Sequence, residues 1–362
     1  MLQAVIHHLV SQYKLLSYPS RLLSRFVPPL FLSPTHAALV EKSVDRSEIY
    51  LAGPSSATGQ LVWLITGEVI LSLCCHSLLK GCCHSGTSTG FGRRLVTSAL
   101  RRGDLVIATV RSVDDMDTPE VTDPSLLDNL RRIELDVTEG EDALRAKVEA
   151  AASIWGRIDV LVNNAGQGLV GLSEEGGSTL FRRTFDVNVF GLVDMTTVTL
   201  PYLRASKGCV VNIGSRSAWK TEIVGVGPYS ASKAAVHALS ETLAVELAPF
   251  GVRVMLVAPG AFRTEGIHAK PFYEDRPLAE YDETRKATAK RFASISGTQR
   301  GDPAKAMEVL VDIIRQEGVA KDKPWPRHLI LGEDAINDVR AKSTSIIKEL
   351  EEWEVIGKAV SF

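Results

Sequence analysis

From Leu61 onward, short apolar runs alternate with longer amphipathic stretches. The runs are Leu61–Thr66, Leu105–Thr109, Ile133–Val137, Ile158–Val162, Val210–Ile213, Val252–Val257 and His328–Leu331. Several are apolar at nearly every position, the pattern of parallel strands covered on both faces. Between them, Glu141–Trp155 and Ser232–Leu247 repeat their apolar residues at the helical period. Such alternation predicts an α/β fold: a doubly wound parallel sheet of about seven strands, with helices on both faces and right-handed crossovers. Ligands of such sheets bind beyond the carboxyl ends of the strands.

The first 58 residues do not share this pattern. Met1–Val40 carries Lys14, Arg21 and Arg25, no acid, and many Ser, Pro and Leu residues. Three readings fit this 1–58 extension: a mitochondrial presequence, a disordered tail, or an over-extended gene model. Residues 59–332 hold the alternating unit. Residues 333–362 read as a charged amphipathic helix with Trp353, suited to packing or subunit contact. Composition adds exclusions. With 45% hydrophobic and 23% charged residues, the chain can bury a full core. A net charge of −2 favours neither nucleic acid nor an anionic membrane. No apolar run reaches the ~18–20 residues of a spanning helix. Five cysteines are too few for a disulfide scaffold. The expected compartment is the cytoplasm, or the mitochondrion if the extension is a presequence.

The first apolar run ends in Thr66-Gly67, where a dinucleotide site needs a glycine-rich turn opening a helix. That turn comes only at Gly86-Thr87-Ser88-Thr89-Gly90-Phe91-Gly92. Removing Glu68 through Gly86 joins strand to loop as Ile65-Thr66-Gly67-Thr87-Ser88-Thr89-Gly90, so 68–86 reads as an insertion. Cys-Cys-His-Ser occurs in it twice, at 74–77 and 82–85. One reading is a zinc module. Adjacent cysteines project divergently, however, whereas chelating pairs are spaced by two to four residues, and no metal ligand is assigned. The other reading is a retained intron that kept frame, with a split glycine codon explaining glycine at both edges.

Further motifs follow in order. Asn163-Asn164-Ala165-Gly166 closes the fourth run, and Asn188 lies in Phe185-Asp186-Val187-Asn188-Val189. Ser215 follows the fifth run, Tyr229-Ser230-Ala231-Ser232-Lys233 opens a helical stretch, and Pro259-Gly260 is trailed by Phe262 and Thr264. Tyr229 and Lys233, four apart, share a helix face. An ammonium beside a phenol favours phenolate and lowers a pKa that starts near ~10. Tyr229 can then serve as acid toward a ketone or base toward an alcohol. Ser215 can hydrogen-bond the substrate oxygen.

Together these motifs resemble the classical short-chain dehydrogenases/reductases over about three quarters of the chain. The nearest likeness is to NADP-dependent reductases similar to 17β-hydroxysteroid dehydrogenases, including fungal enzymes of natural-product pathways. The resemblance implies a Rossmann-like sheet and a catalytic set of Asn188, Ser215, Tyr229 and Lys233. It implies that Lys233 also holds the nicotinamide ribose and that Asn188 holds a relay water. By the same resemblance Gly67, Gly86, Ser88, Gly90, Phe91 and Gly92 face the pyrophosphate, and Asp136 and Val137 the adenine. Asn164, Ala165, Gly166, Pro259, Gly260, Phe262 and Thr264 complete the cofactor site. Val110 stands where NAD enzymes keep an acid, and Arg111 follows, so NADP(H) is expected over NAD(H).

Glu265–Arg300 carries Phe272, Tyr273, Tyr281 and Phe292, which either line an apolar substrate pocket or pack a helix. Asp302 and Pro303 start another helix. His7, His8, His36 and His237 lie outside every motif and receive no role. The expected function is reduction of a sizeable apolar or secondary-metabolite ketone to a secondary alcohol, or the reverse, by a homodimer or homotetramer. The competing readings are a catalytically dead isoform or scaffold whose phosphate loop the insertion breaks, and a zinc-responsive module.

Overall fold

The computed structural model describes residues 59–67, 90–111, 123–264, 272–295 and 297–360. The 1–58 extension and the 68–86 segment, Gly86 included, lie outside them, as does Ser88. Seven strands form one parallel sheet: β1 (Val62–Ile65), β2 (Leu105–Val110), β3 (Leu130–Glu134), β4 (Val160–Asn163), β5 (Cys209–Ile213), β6 (Arg253–Pro259) and β7 (His328–Leu331). Their order is β3-β2-β1-β4-β5-β6-β7. The direction of winding reverses between β1 and β4, which opens a crevice at their carboxyl ends.

Helices cover both faces: α1 (Gly90–Arg101), α2 (Glu141–Trp155), α3 (Ser173–Phe185), α4 (Gly191–Ser206), α5 (Gly227–Leu247), α6 (Asp282–Ile295), α7 (Pro303–Arg315) and α8 (Glu333–Lys358). Alternate residues of the central strands feed two main cores on opposite faces, the reason those runs are apolar throughout. Trp63, Ile65, Val162 and Met255 pack with Leu95 of α1 and Leu310 and Ile314 of α7. Val62, Leu64, Leu161 and Val254 pack with Leu144 of α2, Met195 and Leu203 of α4, and Leu247 of α5. Two buried carboxylates fasten the amino-terminal edge of β1. Asp104 accepts from Leu61 N (3.0 Å) and Trp63 Nε1 (2.9 Å), and Asp159 accepts from Val62 N (2.8 Å).

One expectation needs correction. The third strand is Leu130–Glu134, not Ile133–Val137. It is the sheet edge, and Arg131 and Arg132 within it hide its alternation. Leu135 and Val137 are buried in the second core past its end, Leu135 N still donating to Val110 O at 2.8 Å, and they mimic strand residues in the sequence. The carboxyl-terminal helix is amphipathic as expected, but of its described side chains only Ala335 is buried. Its first turns are tied to the body, Asp334 accepting from Ala261 N at 2.8 Å and Asp338 pairing with Arg216 at 2.7 Å, whereas Leu350 and Trp353 further along are more than half exposed.

Candidate active site

The crevice becomes a site because polar side chains tie the strand ends together. Thr66 follows β1 directly. Its hydroxyl donates to Val162 O (3.1 Å) and accepts from Asn164 N (2.9 Å) and Ala165 N (3.0 Å). Asn164 Nδ2 in turn donates to Thr66 O at 3.0 Å. Gly67 N donates to Thr109 Oγ1 at the end of β2 (3.0 Å). Gly90 opens α1 at φ +58°, a left-handed conformation that favours glycine.

Above these ends lies a cavity of about 270 Å³. It collects Gly90, Phe91, Asn164, Gly166, Ser215, Tyr229, Lys233, Pro259, Gly260, Phe262 and Thr264, most of the residues singled out in the sequence. Its walls are mainly apolar, with Leu169, Val170, Ile213, Ile223, Val226, Phe292 and Ile295. Gln167 Oε1 and Gln299 Oε1 are buried without hydrogen-bond partners, and both residues line the cavity. Acceptors left so are costly unless a ligand or water meets them.

Tyr229 and Lys233 stand on successive turns of α5. Lys233 Nζ lies 5.8 Å from the centre of the Tyr229 ring and donates to Ile213 O at 2.7 Å. Ser215 caps the short 3₁₀ turn Arg216–Ala218, its hydroxyl accepting from Ser217 N at 3.1 Å. Asn188 sits in a π-helical turn, Asp186–Phe190, between α3 and α4. Its Oδ1 accepts from Gln167 N (2.7 Å), and its Nδ2 donates to Gln167 O and Ser232 Oγ (2.9 Å each). The side chain thus grips the loop after β4 from behind. A Cβ on Gly166 would stand 3.4 Å from both Asn188 Oδ1 and Lys233 Nζ, so the loop passes close to both.

The other expected cofactor residues are more dispersed. Arg111 follows β2 immediately, and its Nε is buried without a hydrogen-bond partner. Asp136 is engaged locally: its Oδ1 accepts from Thr138 N (2.9 Å) and Oγ1 (2.8 Å). Val137 is buried against Gly191. Gly92 is buried within α1, and Ala165 packs beside the second core. None of these five lines the cavity.

A segment beginning at Phe272 covers the cavity's far side. Of its aromatics only Phe292 lines the cavity. Tyr273 N donates to Val170 O at 2.7 Å, and Tyr281 Oη donates to Glu174 at 2.8 Å, so those two fasten the segment. Phe272 lies against Gly225. Asp302 caps α7 as expected, accepting from Ala304 N at 2.9 Å. Sequence reasoning missed Thr66, Gln167, Gln299 and His237. Thr66 carried a signal, as the hydroxyl immediately after the first strand. Gln167 carried one too, as the residue immediately after Asn163–Gly166, whereas Gln299 and His237 are brought in by packing between distant elements. Among the described residues no cluster could hold a metal ion, and no helix is long and apolar enough to cross a membrane. Both cysteine–histidine pairs lie outside the described residues.

Comparison with known proteins agrees with this arrangement. The family profile described as short chain dehydrogenase matches residues 82–271, starting inside the 68–86 segment and leaving out β1. An uncharacterized oxidoreductase, YusZ of Bacillus subtilis, is 30% identical over 241 residues, 65% of this chain and 84% of its own. A short-chain dehydrogenase of Streptomyces avermitilis has the same fold at 34% identity and TM-score 0.67, over 84% of this chain and all of the other. The Burkholderia cenocepacia short chain dehydrogenase in complex with NADP shares the fold at 22% identity and TM-score 0.56, over 81% and 97% of the two chains. The Burkholderia phymatum enzyme in complex with NAD does so at 19% and 0.63, over 80% and 95%. With the profile covering half the chain, the protein belongs to the short-chain dehydrogenase/reductase family of oxidoreductases.

Proposed function

We propose that this protein is an NADP(H)-dependent oxidoreductase interconverting a sizeable apolar ketone and its secondary alcohol. The observation that carries the reading is that Ser215, Tyr229 and Lys233 open into one apolar-walled cavity at the switch point of the sheet. The residues fit a dinucleotide. Gln167 and Gln299 offer unpaired buried acceptors beside the cavity, and Arg111 offers an unpaired Nε at the end of β2. Asn164, Gly166, Pro259, Gly260 and Thr264 would hold the nicotinamide end, and Arg111 the 2′-phosphate of the adenosine ribose. The bound cofactor would supply the hydride.

The chain's own residues do the rest. Ser215 Oγ donates to the substrate oxygen, and Tyr229 gives that oxygen its proton as charge develops. Lys233, held by Ile213 O, stabilises the phenolate left behind. Asn188 acts by fixing the loop that carries Gln167. We also read residues 59–332 as the catalytic domain, 68–86 as an insertion into its phosphate loop, and α8 as a surface for a second copy. The exposed Leu350, Trp353 and Ile356 support that last point.

The test is NADPH consumption with 9,10-phenanthrenequinone, a large apolar dicarbonyl. Tyr229→Phe should lower kcat at least 10²-fold, the lower end of what general acid catalysis contributes. NADPH affinity by calorimetry should hold within threefold. Full activity in this variant would refute the reading.

A further inference from the structure

His237 is buried in the core of the candidate site, and none of the chemistry above uses it. It follows Tyr229 and Lys233 on the same face of α5, one turn further along. Its Nε2 lies 3.3 Å from Ser215 N and accepts that N–H. The contact has no slack. A Cβ on Gly214 would come within 2.4 Å of Nε2, so only glycine before Ser215 allows the ring to reach the backbone. On its other side the ring packs on Trp219, centroids 4.5 Å apart. Trp219 caps the same 3₁₀ turn that Ser215 begins.

The hydrogen bond belongs to a line of three that join α5 to the end of β5. Lys233 Nζ reaches Ile213 O at 2.7 Å, His237 accepts from Ser215 N, and Ser240 Oγ accepts from Asn212 Nδ2 at 2.9 Å. β5 ends at Ile213, so Ser215 N has no strand neighbour to donate to. Without His237 this buried N–H would be orphaned, at a cost comparable to a lost hydrogen bond. An imidazole can accept there only when neutral, with its proton on Nδ1. Burial and the Lys233 ammonium both hold it neutral, lowering its pKa to about 3.

We infer that His237 is a positioning residue for Ser215: a neutral imidazole that fixes the serine's backbone, and so the direction of its hydroxyl, by accepting its N–H. This rests on the reductase reading above, in which Ser215 contacts the substrate oxygen. A misplacement of about 1 Å at such a group can cost roughly 10²-fold in rate.

The experiment is a double-mutant cycle on the full chain, with 9,10-phenanthrenequinone and NADPH. His237→Leu, and His237→Phe as a second variant that fills the space beside Trp219, should lower kcat by tenfold or more. His237→Gln, which keeps an acceptor, should recover most of that loss. In a Ser215→Ala background the same His237 changes should cost less than threefold, because their effect passes through the serine. Equal losses in both backgrounds, or wild-type rates for His237→Leu or His237→Phe, would overturn the role. A Ser215→Ala enzyme as fast as wild type would overturn the reductase reading itself, and the role with it. Nitrogen-15 spectra of histidine-labelled protein decide the hydrogen bond without activity. The signal lost in His237→Gln should show an unprotonated Nε2, and a protonated Nε2 would refute the contact.

Discussion

Arg111 sits one residue past β2, beside a buried Val110 that offers no acceptor to a ribose hydroxyl. If its guanidinium meets a 2′-phosphate, removing it loses a charge-assisted hydrogen bond of about 1.5–3 kcal/mol, roughly 10- to 100-fold. Arg111→Ala should therefore raise the KM for NADPH by that factor and leave the KM for NADH within threefold, measured with one carbonyl substrate. An equal rise for both cofactors would place Arg111 outside the phosphate site. A second expectation concerns His237. Its pKa is lowered in the fold from 6.5 to about 3, by burial first and then by Lys233 and His328. A depressed group gives stability that is full above its unfolded value and drains away as pH falls from 6.5 toward 3. Denaturation midpoints at pH 7.5 and 5 should therefore separate less in His237→Gln than in wild type.

Among the elements, a buried ion pair helps to hold the cover of the cavity. Glu175 of α3 has a fully buried side chain, and Arg285 of α6 bonds both of its oxygens (Nε–Oε2 3.2 Å). The same carboxylate accepts from Leu278 N at 2.9 Å, and Arg285 also bonds Leu278 O at 3.0 Å. Removing one partner of a buried pair leaves an uncompensated charge, at about 3–5 kcal/mol. Glu175→Leu should thus loosen residues 272–295, seen as faster proteolysis there, and raise the substrate KM more than it lowers kcat. Arg285 holds the Glu175 carboxyl below its usual range, with the Leu278 N–H helping and burial opposing. The latch is therefore complete above about pH 4.5 and weakens only as pH falls through that lowered value. Protection of this segment should stay flat from pH 5 to 8.

The same elements show what the sequence could disclose. Glu141–Trp155 has one apolar stripe and two ends marked by glycine, and the helix has those bounds. β3 was misread because an edge strand buries little and two apolar residues follow it. Tyr229, Lys233 and Ser215 were legible as a spaced pattern. His237 was not, since its contact exists only once α5 docks on β5. Whether Tyr273 and Tyr281 line a pocket or pack a helix stays open in the sequence because aromatic content does not distinguish a wall from a fastening.

At the scale of the whole molecule, β1 is the strand on which the site is centred, paired with β2 on one side and β4 on the other. Its end, through Thr66 and Gly67, holds the ends of both neighbours. The connection from Gly67 to Gly90 is nevertheless 22 residues long (68–89), where strand-to-helix connections in such folds take about 2–6. Deleting Glu68–Gly86 leaves Thr87-Ser88-Thr89, three residues, within that range. Loop-closure entropy alone favours the shorter connection by about 2 kcal/mol. The larger effect is local. Backbone N–H groups between β1 and α1 must converge on a pyrophosphate at the amino terminus of α1, which a three-residue turn enforces and a long one does not. The family profile begins inside the segment and excludes β1, although β1 occupies the centre of the sheet. Titration calorimetry on the full chain and on the chain lacking Glu68–Gly86 should then show NADPH binding at least tenfold tighter after deletion, with a higher melting temperature. Equal affinities would mean that Gly86–Gly92 forms the turn by itself with the segment carried outside it. The dead-isoform reading would then lose its only physical basis.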